Sequence, residues 1–173
     1  MAIITKAKIY ATRAHEEISQ TRKYTNSPYI IHPAAVAARV AKVTKSKNLV
    51  AAAWLHDTVE DTNATIEDIR KNFGPEIEAL VESLTDISKA TDGNRKLRKD
   101  IDRKHTEAAS PGAKTVKLAD LIDNSVSIIK YGRDFAFVYM EEMSQMLEIL
   151  KEGDSRLFKE AVTIVDDFRK SKH

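Results

Sequence analysis

A histidine and an aspartate stand side by side at His56-Asp57, and two further acids follow at Glu60 and Asp61. Residues four apart share a helix face, so Glu60 falls on the His56 face and Asp61 on the Asp57 face. Crowding three carboxylates costs free energy unless a cation or protons neutralise them. Because an imidazole nitrogen and a carboxylate oxygen can hold one metal ion together, this stretch predicts a metal site.

A second histidine, His32, precedes Pro33 in the segment Ser27-Pro-Tyr-Ile-Ile-His-Pro33. A residue before proline is biased away from helical dihedral angles, which predicts a rigid, extended approach to a helix start. Such an elbow could aim His32 at a metal ion. Taken alone, however, a histidine at this position is more often a simple polar cap.

The stretch 115–130 carries a polar stripe, since Lys117, Asp120, Asn124 and Ser127 recur at steps of three and four residues. The residues between them are mostly apolar and leave little face for solvent, so the stripe is expected to point into a cavity. A wet face of an ordinary amphipathic helix explains the periodicity equally well. Asp123 lies off the stripe and is expected on the solvent side.

Two adjacent basic residues, Arg22 and Lys23, lie in a polar stretch without apolar periodicity, which predicts a loop over 20–27. Arginine offers a planar fork for phosphate and a surface for stacking on a base, while lysine offers a point charge. Two basic residues in a loop are usually just solvated, so alone they are weak support for a nucleotide site.

The composition bounds the classes of function that are open to this chain. Its 173 residues, with 42% hydrophobic and 31% charged residues, predict a single soluble, cytoplasmic domain over 1–173. A net charge of only +2 argues against a nucleic-acid partner. The absence of cysteine excludes disulfides, thiolate metal sites and cysteine nucleophiles. No apolar run approaches the roughly 18 residues of a membrane span.

The apolar period is helical almost everywhere, which predicts an all-α bundle of roughly eight or nine helices. Residues 86–103 are highly charged and poor in apolar side chains, so they are expected to be solvated or mobile. The predicted helices cover residues 4–18, 33–42, 47–60, 66–73, 75–84, 111–131, 135–151 and 157–170.

These stretches together resemble the HD-domain hydrolases of the RelA/SpoT type. The matching segments follow the family's order across residues ~6 to ~130, while the helices over 134–173 would complete the bundle. With no room for a synthetase domain, the chain is similar to the small stand-alone alarmone hydrolases of that family. The segments are Ala14-His15, Arg22-Lys23, Pro28-Tyr-Ile-Ile-His-Pro33, Leu55-His-Asp-Thr-Val-Glu-Asp-Thr62, Phe73-Gly74, Leu80-Val81, Leu84-Thr85, and Lys117-Leu-Ala-Asp120 with Asn124.

The resemblance implies a role for each matching residue. One divalent ion, typically Mn²⁺ in this family, would be held by His32, His56, Asp57 and Asp120. Catalysis would fall to Glu60, Asp61 and Asn124, and nucleotide contacts to Arg22, Lys23, Ser127 and Lys117, the last being equally compatible with a structural role. His15 matches a position that is expected to support the site rather than bind the metal.

The implied reaction removes pyrophosphate from the 3′ position of guanosine 3′,5′-bis(diphosphate) or its pentaphosphate relative. The chain departs from the family in the stretch after His15, in a longer loop around Thr25 with Asn26 in place of glycine, and at Leu121, where a basic residue is usual. The loop keeps open a hydrolase of another nucleotide, such as an adenosine alarmone or NADPH. A binding module without catalysis is the third reading, against which the acids at Glu60 and Asp61 argue.

Overall fold

The computed structural model describes residues 1–171, which form α-helices, one short 3-10 helix and no β-strand. In this described part, no helix is both long and apolar enough to cross a membrane. The helices are α1 (Ile3–Glu17), α2 (Ile31–Val43), α3 (Lys47–Leu55), α4 (Thr58–Asp61), α5 (Ile66–Phe73), α6 (Pro75–Leu84), α7 (Arg95–Glu107), α8 (Pro111–Tyr131), α9 (Asp134–Leu147) and α10 (Ser155–Lys170).

The chain divides into two compact units, Met1–Thr85 and Asp86–His173. In the first unit, α3 is the central helix and packs against α1, α2 and α6. Its fully buried Ala51, Ala52 and Ala53 present only methyl groups, which lets the neighbouring helices approach closely. The start of α3 is set by Ser46, whose hydroxyl accepts a hydrogen bond from the Leu49 amide at 3.3 Å.

The structure interrupts the helix that the sequence predicted over 47–60. Helix α3 ends at Leu55, and α4 begins at Thr58 after a turn through His56 and Asp57. Side chains form hydrogen bonds with the backbone carbonyls at the end of α3. Thr58 Oγ1 donates to Leu55 O at 2.7 Å, and His56 Nδ1 lies 2.8 Å from Ala53 O. The break therefore places the His-Asp pair at a helix terminus rather than along a helix face.

The expected extended approach to His32 is also wrong, because α2 already begins at Ile31. His32 lies in the first turn, where its amide donates to Tyr29 O at 2.9 Å. Pro33 follows in the same turn, where the amide hydrogen that proline lacks has no partner within a helix. Proline normally disfavours helical dihedral angles at the residue before it, but His32 is helical here. The helix itself therefore orients the His32 side chain.

The second unit is built on α8, which packs against α9 and α10. The charged stretch 86–103 is largely exposed, as expected, but it is also structured by a 3-10 helix at Ala90–Asp92 and by α7. The buried Asp102 carboxylate holds the beginning of this charged stretch in place. It accepts hydrogen bonds from the Ile87 amide at 3.0 Å and from the Ser88 amide at 2.8 Å. The predicted 135–151 helix ends earlier, with α9 stopping at Leu147.

Asp154 caps α10, and its removal is expected to cost stability. Its Oδ1 accepts from the Arg156 amide at 3.0 Å and the Leu157 amide at 3.3 Å, and the Arg156 guanidinium lies 2.9 Å from Oδ2. Asp154→Ala should lower the free energy of unfolding by about 1 kcal/mol at pH 7 in urea titrations. Asp166→Ala, at an exposed position on the same helix, should change it by less than about 0.5 kcal/mol.

The cap should also be sensitive to pH. The bonds from Arg156, followed by those from the backbone amides, hold the pKa of Asp154 below its ordinary value. A carboxyl with a lowered folded-state pKa stabilises the fold above its unfolded-state pKa of about 3.9, and this stabilisation disappears as pH falls through the folded-state pKa. The wild-type advantage over Asp154→Ala should therefore shrink below about pH 4, and an advantage unchanged down to pH 2 would contradict this account.

Candidate functional site

Two histidines and an aspartate come together in the first unit, where the ends of α2 and α3 meet. His32, His56 and Asp57 each offer a ligand atom within 4.8 Å of the other two. Asp57 Oδ2 lies 3.1 Å from His56 Nε2 and 3.5 Å from His32 Nε2. Both imidazoles are buried while Asp57 is half-buried, so the cluster has one accessible side.

The chemistry of these atoms fits a divalent cation. The Ala53 carbonyl can only accept a hydrogen bond, so the proton of neutral His56 resides on Nδ1, 2.8 Å away. The His56 Nε2 lone pair then faces Asp57 Oδ2, a second electron-pair donor, at 3.1 Å. Two such donors repel unless a cation or proton lies between them. Imidazole held through its other nitrogen by a backbone carbonyl is the usual arrangement of a metal ligand.

Tyr29 is a contributor to the site that the sequence reasoning missed. Its hydroxyl donates to Asp57 Oδ2 at 2.7 Å, and its ring centroid lies 4.8 Å from that of His15. The Arg22 guanidinium carbon lies 5.7 Å from the same ring. The available signal was its position, three residues before His32 in a rigid segment that holds Pro28.

The two acids of α4 have different surroundings. Glu60 is exposed, whereas Asp61 is half-buried and accepts a hydrogen bond from Gln20 Nε2 at 2.9 Å. Burial raises the pKa of Asp61 above its ordinary value, and the charge of Asp57 raises it further, while the Gln20 bond opposes both. Asp61 therefore holds a proton more readily than an ordinary aspartate, and Glu60 is the acid that is open to solvent.

The basic pair lies in a loop that closes on itself. The Arg22 amide donates to Ser27 O at 2.8 Å, and the Asn26 amide donates to Arg22 O at 2.9 Å. Asn26 has φ +55°, the left-handed conformation expected where the family has glycine. Arg22 is half-buried beside Tyr29, whereas Lys23 is exposed and its Nζ lies 5.6 Å from the Tyr24 ring centroid.

The second unit holds the polar stripe of α8. The buried Asp120 carboxylate accepts from Lys117 Nζ at 3.1 Å and from Asn124 Nδ2 at 2.7 Å, and Ser127 Oγ donates to Asn124 O at 3.3 Å. The stripe is thus a connected set of hydrogen bonds around one buried acid.

The expectation that α8 leaves little face for solvent is wrong near its end. Val126 is 57% exposed and Ile129 is 41% exposed. Apolar periodicity shows which residues share a helix face but not whether a partner covers that face. The stripe itself keeps its polar contacts along the helix.

A surface cavity of about 940 Å³ lies along α1 and the residues after α4, lined by Tyr10, Arg13, Thr62 and Asp68 among others. None of the residues assigned to the metal or substrate from sequence lines it. Volume alone therefore does not locate the chemistry in the first unit.

A family model described as the HD domain matches residues 7–131. The chain belongs to the HD-domain family. The match covers most of the first unit and the whole of α8. It confirms the all-α fold expected from the sequence.

Relatives of this HD domain include animal and bacterial proteins. The guanosine-3′,5′-bis(diphosphate) 3′-pyrophosphohydrolase MESH1 of Homo sapiens is 38% identical over 126 residues, 71% of this chain and 68% of that protein. Its Mus musculus counterpart is 40% identical over 114 residues, 64% of this chain and 62% of that protein. The Aquifex aeolicus guanosine-3′,5′-bis(diphosphate) 3′-pyrophosphohydrolase is 37% identical over 121 residues, 70% of this chain and 17% of that protein. The chain thus spans only about a sixth of the long bacterial relatives that it matches.

Solved structures resemble this HD domain as well. One described as a metazoan ortholog of SpoT that hydrolyses ppGpp superposes with a TM-score of 0.84 at 26% identity, covering 99% of this chain and 96% of that one. A protein from Listeria monocytogenes EGD-e superposes with a TM-score of 0.66 at 26% identity, covering 83% of this chain and 99% of that one. The resemblance to the RelA/SpoT type of HD domain is therefore confirmed.

Proposed function

We propose that this HD domain hydrolyses the 3′-pyrophosphate of guanosine 3′,5′-bis(diphosphate) and its pentaphosphate relative, releasing GDP or GTP and pyrophosphate. The observation that carries the proposal is the cluster of two buried histidines, His32 and His56, with the half-buried Asp57. It occurs in a chain whose animal relatives of similar length are named for this reaction. The proposal treats 1–173 as one hydrolase domain, because the family match extends from residue 7 into α8.

The proposed cofactor is one Mn²⁺ ion, held by His32, His56, Asp57 and Asp120. Imidazole nitrogens with carboxylate oxygens suit a hard-to-borderline divalent ion that keeps open positions. For Asp120 the support is the family resemblance and a buried carboxylate already bordered by Lys117 and Asn124. When bound, such an ion supplies Lewis acidity toward a phosphate oxygen and lowers the pKa of water.

The side chains of the protein would supply the remaining steps. Glu60, whose carboxylate is exposed to solvent, suits the acceptance of a proton from the attacking water. Asp61, whose pKa is raised by burial, suits holding that water or returning a proton. Arg22 and Lys23 would offset the negative charges of the substrate, with Arg22 stacking on the purine.

In the second unit, the proposal assigns Asn124 to orienting the substrate and water through its amide. Ser127 would contact the nucleotide through its hydroxyl. Lys117, which borders Asp120 at 3.1 Å, would contribute a positive charge.

A substrate panel tests the proposal directly. Purified protein with Mn²⁺ should convert guanosine 3′,5′-bis(diphosphate) to GDP and pyrophosphate, and chelation should stop the reaction because the charge cluster then lacks its cation. Products are measured by anion-exchange chromatography, with an adenosine alarmone and NADPH in parallel. If NADPH were the one substrate of the panel to be hydrolysed, releasing phosphate, a different substrate would be assigned to the same site. Binding of the guanosine alarmone without turnover would assign a non-catalytic role.

A further inference from the structure

A short chain of hydrogen bonds runs from a buried histidine to the proposed catalytic acid. His15 Nδ1 lies 2.7 Å from Gln20 Oε1, and Gln20 Nε2 donates to Asp61 Oδ2 at 2.9 Å. His15 is only 1% exposed, and within residues 1–171 its Nε2 atom has no hydrogen-bond partner. Its one hydrogen-bonded ring nitrogen thus faces Gln20.

The direction of these bonds is set by the chemistry of the three groups. A carboxylate only accepts, so the Gln20 amide must turn its NH₂ group toward Asp61. Its oxygen then faces His15, which must donate from Nδ1. A flipped amide would place an oxygen against the carboxylate, so His15 selects the orientation that holds Asp61.

Backbone hydrogen bonds also hold Gln20 in place. The Gln20 amide donates to His15 O at 3.0 Å, and its carbonyl accepts from the Tyr29 amide, also at 3.0 Å. Ser19 takes a left-handed conformation, φ +52°, to turn the chain back after α1. The segment after His15, where this sequence departs from its family, is thus held by backbone hydrogen bonds on both sides of Gln20.

We propose that Gln20 is a positioning residue, held by His15, that fixes the carboxylate of Asp61 for the hydrolytic step. This inference rests on the proposed function. Gln20 touches none of the three clustered metal-binding candidates through a hydrogen bond of its side chain, and instead acts through Asp61. Removing the Gln20 side chain should slow turnover without lowering the affinity for Mn²⁺.

The first test separates positioning from folding and binding. Gln20→Leu and Gln20→Glu both lack the donor, and the second keeps the size of the side chain. Each should lower kcat by about 10-fold, with KM and the calorimetric Mn²⁺ affinity changed less than about twofold. Gln145→Leu removes a comparable side chain that accepts from Arg103 and donates to Glu141, and should leave kcat unchanged.

A double-mutant cycle tests whether Gln20 acts through Asp61. In single-turnover experiments, Gln20→Leu should cause no further loss in an Asp61→Ala background. A full additional 10-fold loss there, or a normal kcat in Gln20→Glu, would overturn the proposal.

A measurement without turnover keeps the inference separate from the proposed function. By NMR, exchange of the Gln20 side-chain amide protons should be slow in the wild type and faster in both Asp61→Ala and His15→Phe. Fast exchange in the wild type would overturn the hydrogen-bonded arrangement. If the wild type hydrolyses none of the tested nucleotides while slow exchange is seen, the proposed function fails and the contact stands.

Discussion

Asp57→Ala is expected to abolish hydrolysis of guanosine 3′,5′-bis(diphosphate), with kcat falling by roughly 1,000-fold or more. Asp57 Oδ2 is the atom on which the cluster converges, since His56 Nε2, His32 Nε2 and the Tyr29 hydroxyl all lie within 3.5 Å of it. Without this oxygen the cluster of His32, His56 and Asp57 loses its carboxylate ligand. Turnover is measured by product chromatography, and metal binding by isothermal titration calorimetry with Mn²⁺.

Two controls make the Asp57 result interpretable. Asp166→Ala removes an exposed aspartate on α10 and should keep full activity. Mn²⁺ should raise the Tm of the wild type, because a ligand that binds only the folded state stabilises it, and should leave the Tm of Asp57→Ala unchanged. An Asp57→Ala protein that retains turnover and this metal-induced shift would exclude Asp57 as a ligand.

Asp120→Asn is expected to weaken Mn²⁺ binding by roughly 100-fold and to reduce turnover in parallel at limiting metal. Asparagine keeps the size of the side chain and an oxygen that can still accept from Asn124, so the helix should be preserved. What is lost is the negative charge. Calorimetry with Mn²⁺ and kcat measured across a manganese titration are the readouts.

Asp123→Asn is the matched control for Asp120→Asn, because it removes the same charge three residues further along α8 and off the polar stripe. It should bind Mn²⁺ and turn over like the wild type. If Asp120→Asn bound Mn²⁺ with wild-type affinity, the buried carboxylate would be assigned to its contacts with Lys117 and Asn124 rather than to the metal.

Local sequence signals located many helix boundaries correctly. The predicted helices over 66–73 and 111–131 begin where the structure begins them, because Thr65 and Asp68 form a capping box at the start of α5 and Ser110 caps α8 one residue before Pro111. These devices act over three or four residues, which is why they can be read without the fold. The predictions failed where side chains compete for backbone groups, as at Thr58, or where a buried acid such as Asp102 orders a charged segment.

The candidate site was predicted unevenly for a similar reason. His56 and Asp57 are adjacent in sequence, so their crowding could be inferred directly. His32 alone favoured a polar cap, and only the family resemblance assigned it to a metal. Gln20 and Tyr29 were missed because their importance lies in which atoms they reach, Asp61 and Asp57 respectively.

The sequence by itself determined the helical class, the family and the crowded acids of 56–61, because these follow from periodicity and from neighbours along the chain. Only the tertiary structure decided that His32 joins His56 and Asp57, that Glu60 is exposed while Asp61 is half-buried, and that Gln20 reaches Asp61 from 41 residues away. Those facts depend on how α1, α2 and α4 are placed around α3, and hydrophobic burial, which is not directional, cannot specify single atomic contacts from the sequence alone.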